Sequence, residues 1–90
     1  MTARDRQIAH KETIEKYGKI AMINKSIQEF NELIEELRDY KASHNNKTDI
    51  IEEIADCYNM LDKLLILFAF DPKEVREIKN NKMIRTIARL

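Results

Sequence analysis

Two pairs of acidic residues have the spacing that places carboxylates side by side on a helix. Glu29 and Glu32 are three residues apart, and so are Glu53 and Asp56. Residues three apart on an α-helix are neighbours on its surface, so each pair presents two carboxylates to one side. Oxygen ligands suit magnesium or manganese, whereas zinc is usually bound through nitrogen and sulfur. The pairs are therefore candidate ligands of Mg²⁺, for which Mn²⁺ could substitute.

The second pair lies among apolar residues. On a helical wheel with about 100° per residue, Glu53 falls between Met60 and Leu64, and Asp56 falls beside Leu67. A buried, unpaired carboxylate is costly and must find a cation or take up a proton. A shared divalent ion would meet this need for both carboxylates. The alternative is an ion pair with a lysine or arginine from another helix.

The first pair lies at the border of an apolar helix face. Glu29, Glu32 and Glu36 cluster along this border, and Glu36 is a candidate accessory acid. Glu32 and Glu35 have the same spacing, but Glu35 points to a different side of the wheel. Alone, such a pair on a charged helix is usually a solvated face. The second pair on the next helix favours a metal site.

The first two predicted helices occupy the amino-terminal half of the chain. The first runs from Thr2 or Ala3 to Lys16, and Gly18 marks a helix end or a tight bend. The second runs from Lys19 to Lys41. Its apolar residues recur at spacings of three and four, as one helical face requires; they are Ile20, Ile23, Ile27, Phe30, Ile34 and Leu37.

A polar loop, Ala42 to Lys47, leads to the third helix. Asp49 and Glu52 have capping-box spacing, and Thr48 is the alternative cap. The third helix is predicted to continue to about Phe70. Because the loop is short, the second and third helices should lie antiparallel with their acidic pairs facing each other.

The sequence Asp71-Pro72 predicts the start of a fourth helix, which runs to the C-terminus. Asp71 would be its N-cap and Pro72 its first residue. No segment alternates with the period of two that strands require, so the fold class is all-α.

The composition fits a single domain over residues 1–90. One glycine and one proline leave few turns, and 36% charged with 43% hydrophobic residues suits amphipathic helices. A chain of this size buries only about 60–65% of its unfolded surface, so pairing with a second copy would stabilise it. The 16 basic and 16 acidic residues balance, which gives no overall attraction to nucleic acid or membrane.

Other features argue for a cytoplasmic protein without membrane contact. Cys57 is the only cysteine, so an intrachain disulfide is excluded and a buried thiol is expected. The longest apolar run, Leu64 to Phe70, is far shorter than the about 20 residues that span a bilayer. The first ten residues lack the apolar run of a signal peptide. His10 and His44 lie in polar segments and are expected to be surface histidines rather than zinc ligands.

At its acidic pairs, the sequence resembles the MazG-like family of all-α nucleoside triphosphate pyrophosphohydrolases. That family carries Glu-x-x-Glu on one helix and Glu-x-x-Asp on the next, as do QEFNELIEEL and IIEEIADCYNMLDKL here. Tyr17-Gly18 and the basic last helix, EIKNNKMIRTIARL, are similar to short phage and prophage members. The resemblance covers residues 17–90. The family often has a glutamate where this chain has Gln28.

This resemblance implies a four-helix MazG-like bundle, completed by oligomerisation as a homodimer or homotetramer. The implied reaction converts an NTP or dNTP to the monophosphate and pyrophosphate. Divalent ions would have to separate the acids from the negatively charged triphosphate, and two such ions could activate water and stabilise the leaving oxygen. The implied catalytic metal ligands are Glu29, Glu32, Glu53 and Asp56.

Basic residues of the last helix are candidate phosphate ligands. Lys79, Lys82, Arg85 and Arg89 fall within about 120° of one helix face, and Lys79 and Lys82 match the family's phosphate-side positions best. The alternative is a solvated basic face near the helix C-terminus. A neutral chain without a groove-reading motif argues against nucleic acid as a partner.

Two other functions fit the same sequence. A non-catalytic helical dimerisation or adaptor module would explain the heptad-like second helix, and it predicts that Glu53 and Asp56 pair with lysine or arginine. An enzyme similar to phosphoribosyl-ATP pyrophosphohydrolase would use the same acids on another substrate. A melting temperature that rises with magnesium would favour the enzyme over the adaptor module. Pyrophosphate release measured over a panel of nucleotides would distinguish the two substrate classes.

Overall fold

The computed structural model describes all 90 residues, and its regular structure is helical throughout. The prediction of an all-α fold with four helices is confirmed. No helix has both the length and the apolar character needed to cross a membrane. The helices are α1 (Ala3–Tyr17), α2 (Lys19–Ser43), α3 (Lys47–Leu67) and α4 (Pro72–Ala88).

Helix α1 begins at Ala3, one of the two predicted starts, and ends at Tyr17, one residue later than predicted. The Thr2 hydroxyl accepts a hydrogen bond from the Asp5 amide at 3.1 Å, and the Asp5 carboxylate accepts one from the Thr2 amide at 3.2 Å. This reciprocal capping box fixes the first turn. At the other end, Gly18 has φ +88°, a conformation that side-chain-bearing residues rarely adopt. Helix α2 follows directly, so Gly18 sets the angle between the two helices.

The start of α3 differs from the prediction. Asn46 is the N-cap and Lys47 the first helical residue, so neither Thr48 nor Asp49 caps the helix. The Asn46 amide donates instead to Glu36, at 2.8 Å to its backbone oxygen and 2.6 Å to its carboxylate. This contact across the loop fixes the start of α3, and such a tertiary contact is not visible in a local capping pattern.

The third helix also ends earlier, at Leu67 rather than at Phe70. Ala69 takes the left-handed conformation with φ 55°. The amide of Phe70 then donates to the Leu65 carbonyl at 2.9 Å, and the amide of Ala69 donates to the Ile66 carbonyl at 3.1 Å. Together these bonds form a Schellman motif, in which glycine is the usual left-handed residue.

Helices α2 and α3 form an antiparallel hairpin, with α1 lying against both. The antiparallel direction follows from contacts that lie progressively farther from the loop. Beyond the Asn46 contact, the Cys57 thiol donates to the Glu29 carbonyl at 3.6 Å, and the Ser26 hydroxyl lies 3.6 Å from the Met60 sulfur. Helix α4 contributes no buried residue.

The core of the isolated chain is small and half polar. Its buried residues are Met22, Cys57 and Met60 on the apolar side and His10, Ser26 and Glu29 on the polar side. The expectation that Cys57 is buried is confirmed. Burial, with nearby carboxylates, raises the pKa of its thiol, which keeps the sulfur neutral.

The chain exposes more surface than a compact monomer of its mass. Its accessible area is 7364 Å², against about 5,500 Å² expected from the scaling of monomeric proteins. Its radius of gyration is 15.7 Å, against about 12 Å for a compact domain of this length. Much of the excess is apolar, because most large hydrophobic residues of α2, α3 and α4 are at least partly exposed.

Replacing Ala69 by glycine tests the left-handed end of α3. Ala69→Gly should stabilise the protein by about 0.5–1 kcal/mol, because alanine is strained in this conformation and glycine is not. Thermal unfolding at fixed protein concentration would show this as a melting temperature raised by a few degrees. Ala55→Gly, in the middle of α3, is the matched control and should instead cost about 0.5–1 kcal/mol. Equal destabilisation by both changes would contradict the assigned conformation.

Candidate metal centre

Three acidic residues meet where α2 packs against α3. Carboxylate oxygens of Glu29, Glu53 and Asp56, here called the acidic cluster, all lie within 4.8 Å of one another. Glu29 comes from α2, and the other two come from successive turns of one side of α3. The structure thus brings together three of the four residues that the sequence predicts as metal ligands.

The acidic cluster ranges from buried to exposed. Glu29 is only 7% exposed, whereas Glu53 is half-buried and Asp56 is exposed. One oxygen of Glu29 and one of Glu53, both Oε2, are buried without a hydrogen-bond partner. A buried carboxylate oxygen without a partner loses its hydration and gains nothing in return. A cation or a proton would supply the partner that these two oxygens lack.

Lys25 supplies part of the positive charge that Glu29 needs. Its ammonium nitrogen lies 2.9 Å from Glu29 Oε1, one helical turn earlier on α2. This hydrogen bond lowers the pKa of Glu29, although burial acts in the opposite direction. The same contact raises the pKa of Lys25. Glu29 is therefore held as a carboxylate whose second oxygen remains free.

Glu53 shows the opposite behaviour. Burial raises its pKa, and the negative charges of Glu32, Asp56 and Glu29 raise it further. No lysine or arginine nitrogen lies within 4.0 Å of Glu53 or Asp56, since the ion pairs of the chain are formed elsewhere. An ion pair with another helix, the alternative considered for these two residues, is not present.

Glu32 and Glu36 lie on the other side of the acidic cluster. They line, together with Glu53, an open cavity of about 540 Å³. Glu32 accepts a hydrogen bond from the Gln28 amide at 3.1 Å, and its charge is close enough to raise the pKa of Glu53. Glu36 is engaged by Asn46 through one carboxylate oxygen. Glu32 is therefore at the edge of the cluster, and Glu36 is mainly tied to the loop.

The donor set suits a hard divalent cation. All the candidate ligand atoms are carboxylate oxygens, and two of them are buried without a partner. Magnesium and manganese prefer such oxygens, and zinc and copper do not. A divalent charge would also relieve the repulsion among three carboxylates. Glu29, Glu53 and Asp56 thus fit Mg²⁺ or Mn²⁺.

The basic residues near the acidic cluster are not those that the sequence indicated. Lys79, Lys82 and Arg85 are exposed on α4 and line neither cavity next to the cluster. Arg6, Lys25 and Lys63 line the cavity of about 420 Å³ that includes Glu29 and Asp56. The contact between Lys25 and Glu29 could have been predicted from the sequence, because residues four apart are neighbours on a helix.

The expectation that His10 is a surface residue is wrong. His10 is 9% exposed, and its Nε2 atom is buried without a hydrogen-bond partner. Helix α1 places it against α3, where Asp62 Oδ2 lies 3.9 Å from Nε2. Burial and the charges of Lys63 and Arg6 lower its pKa, although Asp62 acts in the opposite direction. His44, in contrast, is exposed at the end of α2 as expected.

Comparison of the chain with protein-family models, with curated proteins and with solved structures gives no match.

Replacing Glu53 by glutamine should have opposite effects with and without magnesium. In EDTA near neutral pH, Glu53→Gln should raise the melting temperature, because it removes one of the mutually repelling charges. In magnesium it should abolish the stabilisation that the ion gives the wild type. An ion present at about ten times its Kd stabilises by about 1.4 kcal/mol, or several degrees. Differential scanning fluorimetry measures both effects.

Glu52→Gln is the matched control, because Glu52 precedes Glu53 on α3 and is exposed outside the acidic cluster. It should retain the wild-type response to magnesium. A wild-type protein whose melting temperature ignores millimolar Mg²⁺ and Mn²⁺ would exclude the metal centre.

The metal-free stability should also depend on pH through Glu53. Because its pKa is raised in the folded state, the folded protein binds this proton more tightly than the unfolded chain does. The stability from Glu53 is thus greatest below the pKa of the unfolded chain, and it is lost as pH rises through the folded pKa. Glu53→Gln in EDTA should therefore flatten the decline in melting temperature from acidic to neutral pH. An unchanged pH profile would contradict the raised pKa.

Proposed function

We propose that the protein is a magnesium-dependent nucleoside triphosphate pyrophosphohydrolase, which converts an NTP or dNTP to the monophosphate and pyrophosphate. The main support is the acidic cluster, in which Glu29 and Glu53 each keep a buried oxygen without a partner. The motifs that carry these residues resemble those of the MazG-like family, and this resemblance suggests the reaction.

In this proposal, Glu29, Glu53 and Asp56 would hold the metal, and Glu32 would complete the site from its edge. A bound divalent ion would shield the phosphate charge and acidify an attacking water. We assign the orientation of the water to Glu32 rather than to Glu36, because Asn46 already engages the Glu36 carboxylate at 2.6 Å. Water attacks the phosphorus next to the ribose and gives one proton to Glu32. The bond from that phosphorus to the bridging oxygen breaks, and its electron pair leaves with pyrophosphate.

The contacts of the acidic cluster argue against an adaptor module. That hypothesis predicts that Glu53 and Asp56 pair with lysine or arginine, and neither does within 4.0 Å. The only cation bonded to the cluster is Lys25, which comes from the same helix as its partner Glu29. Phosphoribosyl-ATP remains a substrate alternative within the same chemistry.

We also infer that a second copy of this chain covers the exposed apolar surface, in a homodimer or homotetramer. The area exposed beyond that of a compact monomer is about 1,900 Å². A standard interface buries only about 800 Å² per partner, so this excess suits an obligate assembly. The exposed apolar residues of the α2–α3 hairpin are Ile20, Ile27, Ile34, Leu37, Ile51, Ile54, Tyr58 and Leu61.

A screen for pyrophosphate release tests the reaction. The canonical NTPs, the dNTPs and phosphoribosyl-ATP are each incubated with the protein in magnesium or in EDTA. We expect at least one to yield pyrophosphate, rather than orthophosphate, only in magnesium. Glu53→Gln and Asp56→Asn should lower kcat/KM by at least about a hundredfold, since they remove metal ligands. Glu52→Gln should retain activity, and a screen without any pyrophosphate release would refute the proposal.

Sedimentation velocity tests the assembly. The wild type should sediment as a multiple of the 10.7 kDa chain. Ile54→Lys should shift it toward the monomer, because the buried interface would receive an unpaired ammonium group. Thr48→Lys adds the same charge at the exposed start of α3 and should leave the assembly intact. A wild-type monomer at tens of micromolar would rule out the proposed assembly.

A further inference from the structure

A second cavity adjoins the acidic cluster, and residues of α1, α2 and α3 line it. Its volume is about 420 Å³, within the usual range of small-molecule sites. Glu29 and Asp56 form one wall, so the cavity opens directly onto the candidate metal ligands. Its lining also contains three basic residues, one from each of α1, α2 and α3; they are Arg6, Lys25 and Lys63.

Two of these cations have no carboxylate partner. No acidic oxygen lies within 4.0 Å of Lys63 or Arg6. Arg6 donates one hydrogen bond, to the backbone oxygen of Met1 at 3.1 Å, and a guanidinium group has five N–H donors. Lys63 is half-buried. Both side chains keep donors available for an anion.

Lys25 connects this cavity to the acidic cluster. Its ammonium group uses one hydrogen for Glu29 and has two more to donate. The three basic residues outnumber the two carboxylates of the lining. A divalent ion on Glu29 and Asp56 would neutralise those carboxylates and leave the whole cavity positive.

The rest of the lining favours phosphate over a nucleobase. The cavity has no phenylalanine, tyrosine or tryptophan on which a base could stack, and its polar residues include Thr13 and Asn59. His10 forms part of the wall and is nine-tenths buried. Burial and the positive charges of Lys63 and Arg6 lower the pKa of its imidazole, although Asp62 acts in the opposite direction. Hence the cavity combines concentrated positive charge with hydrogen-bond donors and few hydrophobic residues.

We propose that this cavity binds the pyrophosphate portion of the nucleotide, with Lys63 and Arg6 contacting phosphate oxygens and Lys25 bridging phosphate and Glu29. This inference rests on the proposed pyrophosphohydrolase function. The electron pair of the breaking bond goes to the pyrophosphate oxygen, so the three cations stabilise charge where it develops. The resemblance to the MazG-like family begins at residue 17, and Arg6 lies before it. In this proposal, α1 therefore adds a substrate contact that the resemblance does not imply.

Isothermal titration with inorganic pyrophosphate tests the cavity directly, both in magnesium and in EDTA. Lys63→Gln and Arg6→Gln should each weaken binding by about tenfold to a hundredfold, the loss of one charge-assisted hydrogen bond. Lys11→Gln removes the same charge from an exposed position of α1 outside this cavity. Lys82→Gln removes the same charge from α4. Both control variants should bind pyrophosphate with a Kd within about twofold of the wild-type value. Circular dichroism verifies that each variant is folded.

Three results would overturn the inference: no pyrophosphate binding by the wild type in either buffer, unchanged binding by Lys63→Gln and Arg6→Gln, or weakened binding by Lys82→Gln alone. The last result would assign the phosphate to α4.

Nucleotide hydrolysis is measured separately on the same samples. If nucleotides are hydrolysed but pyrophosphate binding is unchanged in Lys63→Gln, the cavity is not the pyrophosphate site, although the proposed function still holds. Pyrophosphate binding that depends on Lys63 and Arg6, without hydrolysis of any nucleotide, supports the anion site and refutes the function.

Discussion

The burial of the Glu29 carboxylate at the α2–α3 contact is the constraint on which the rest of the structure depends. A charged group that is 7% exposed lies in a core with only three buried apolar residues. Burial of so little apolar surface leaves little free energy to offset an unsatisfied charge. The hairpin is therefore stabilised by whatever cation approaches Glu29. Lys25 does so from within the helix, and the second oxygen is left for another cation.

The sequence was sufficient to predict the acidic cluster because two regular patterns determine it. The wheel placed Glu53 inside the apolar arc of α3 and Asp56 at its edge, and Asp56 is indeed the more exposed of the two. The short loop made α2 antiparallel to α3. Those inferences need only helix geometry. The positions that sequence could not predict depend on contacts between elements. Asn46 begins α3 because it bonds Glu36 across the loop, and His10 is buried because α1 packs on α3.

Helix α4 has defined ends but no buried residue in the single chain. Its boundaries follow from Asp71, whose carboxylate accepts a hydrogen bond from the Lys73 amide at 2.9 Å, and from Pro72. None of its residues is buried, however, so local capping rather than tertiary packing defines it. Its apolar residues, like those of the hairpin, suit an interface between chains. In the proposed assembly, α4 would gain the packing that it lacks here.

The pairing of Lys25 with Glu29 has a consequence for which ions the site can discriminate. The ammonium group is tethered one turn away and stays on Oε1, so it already supplies Glu29 with one unit of positive charge at a high effective concentration. A sodium or potassium ion at the remaining oxygen would add only one further unit charge and would gain little. A doubly charged ion would attract the other two carboxylates of the acidic cluster more strongly. Lys25 would thus favour divalent over monovalent cations at the acidic cluster.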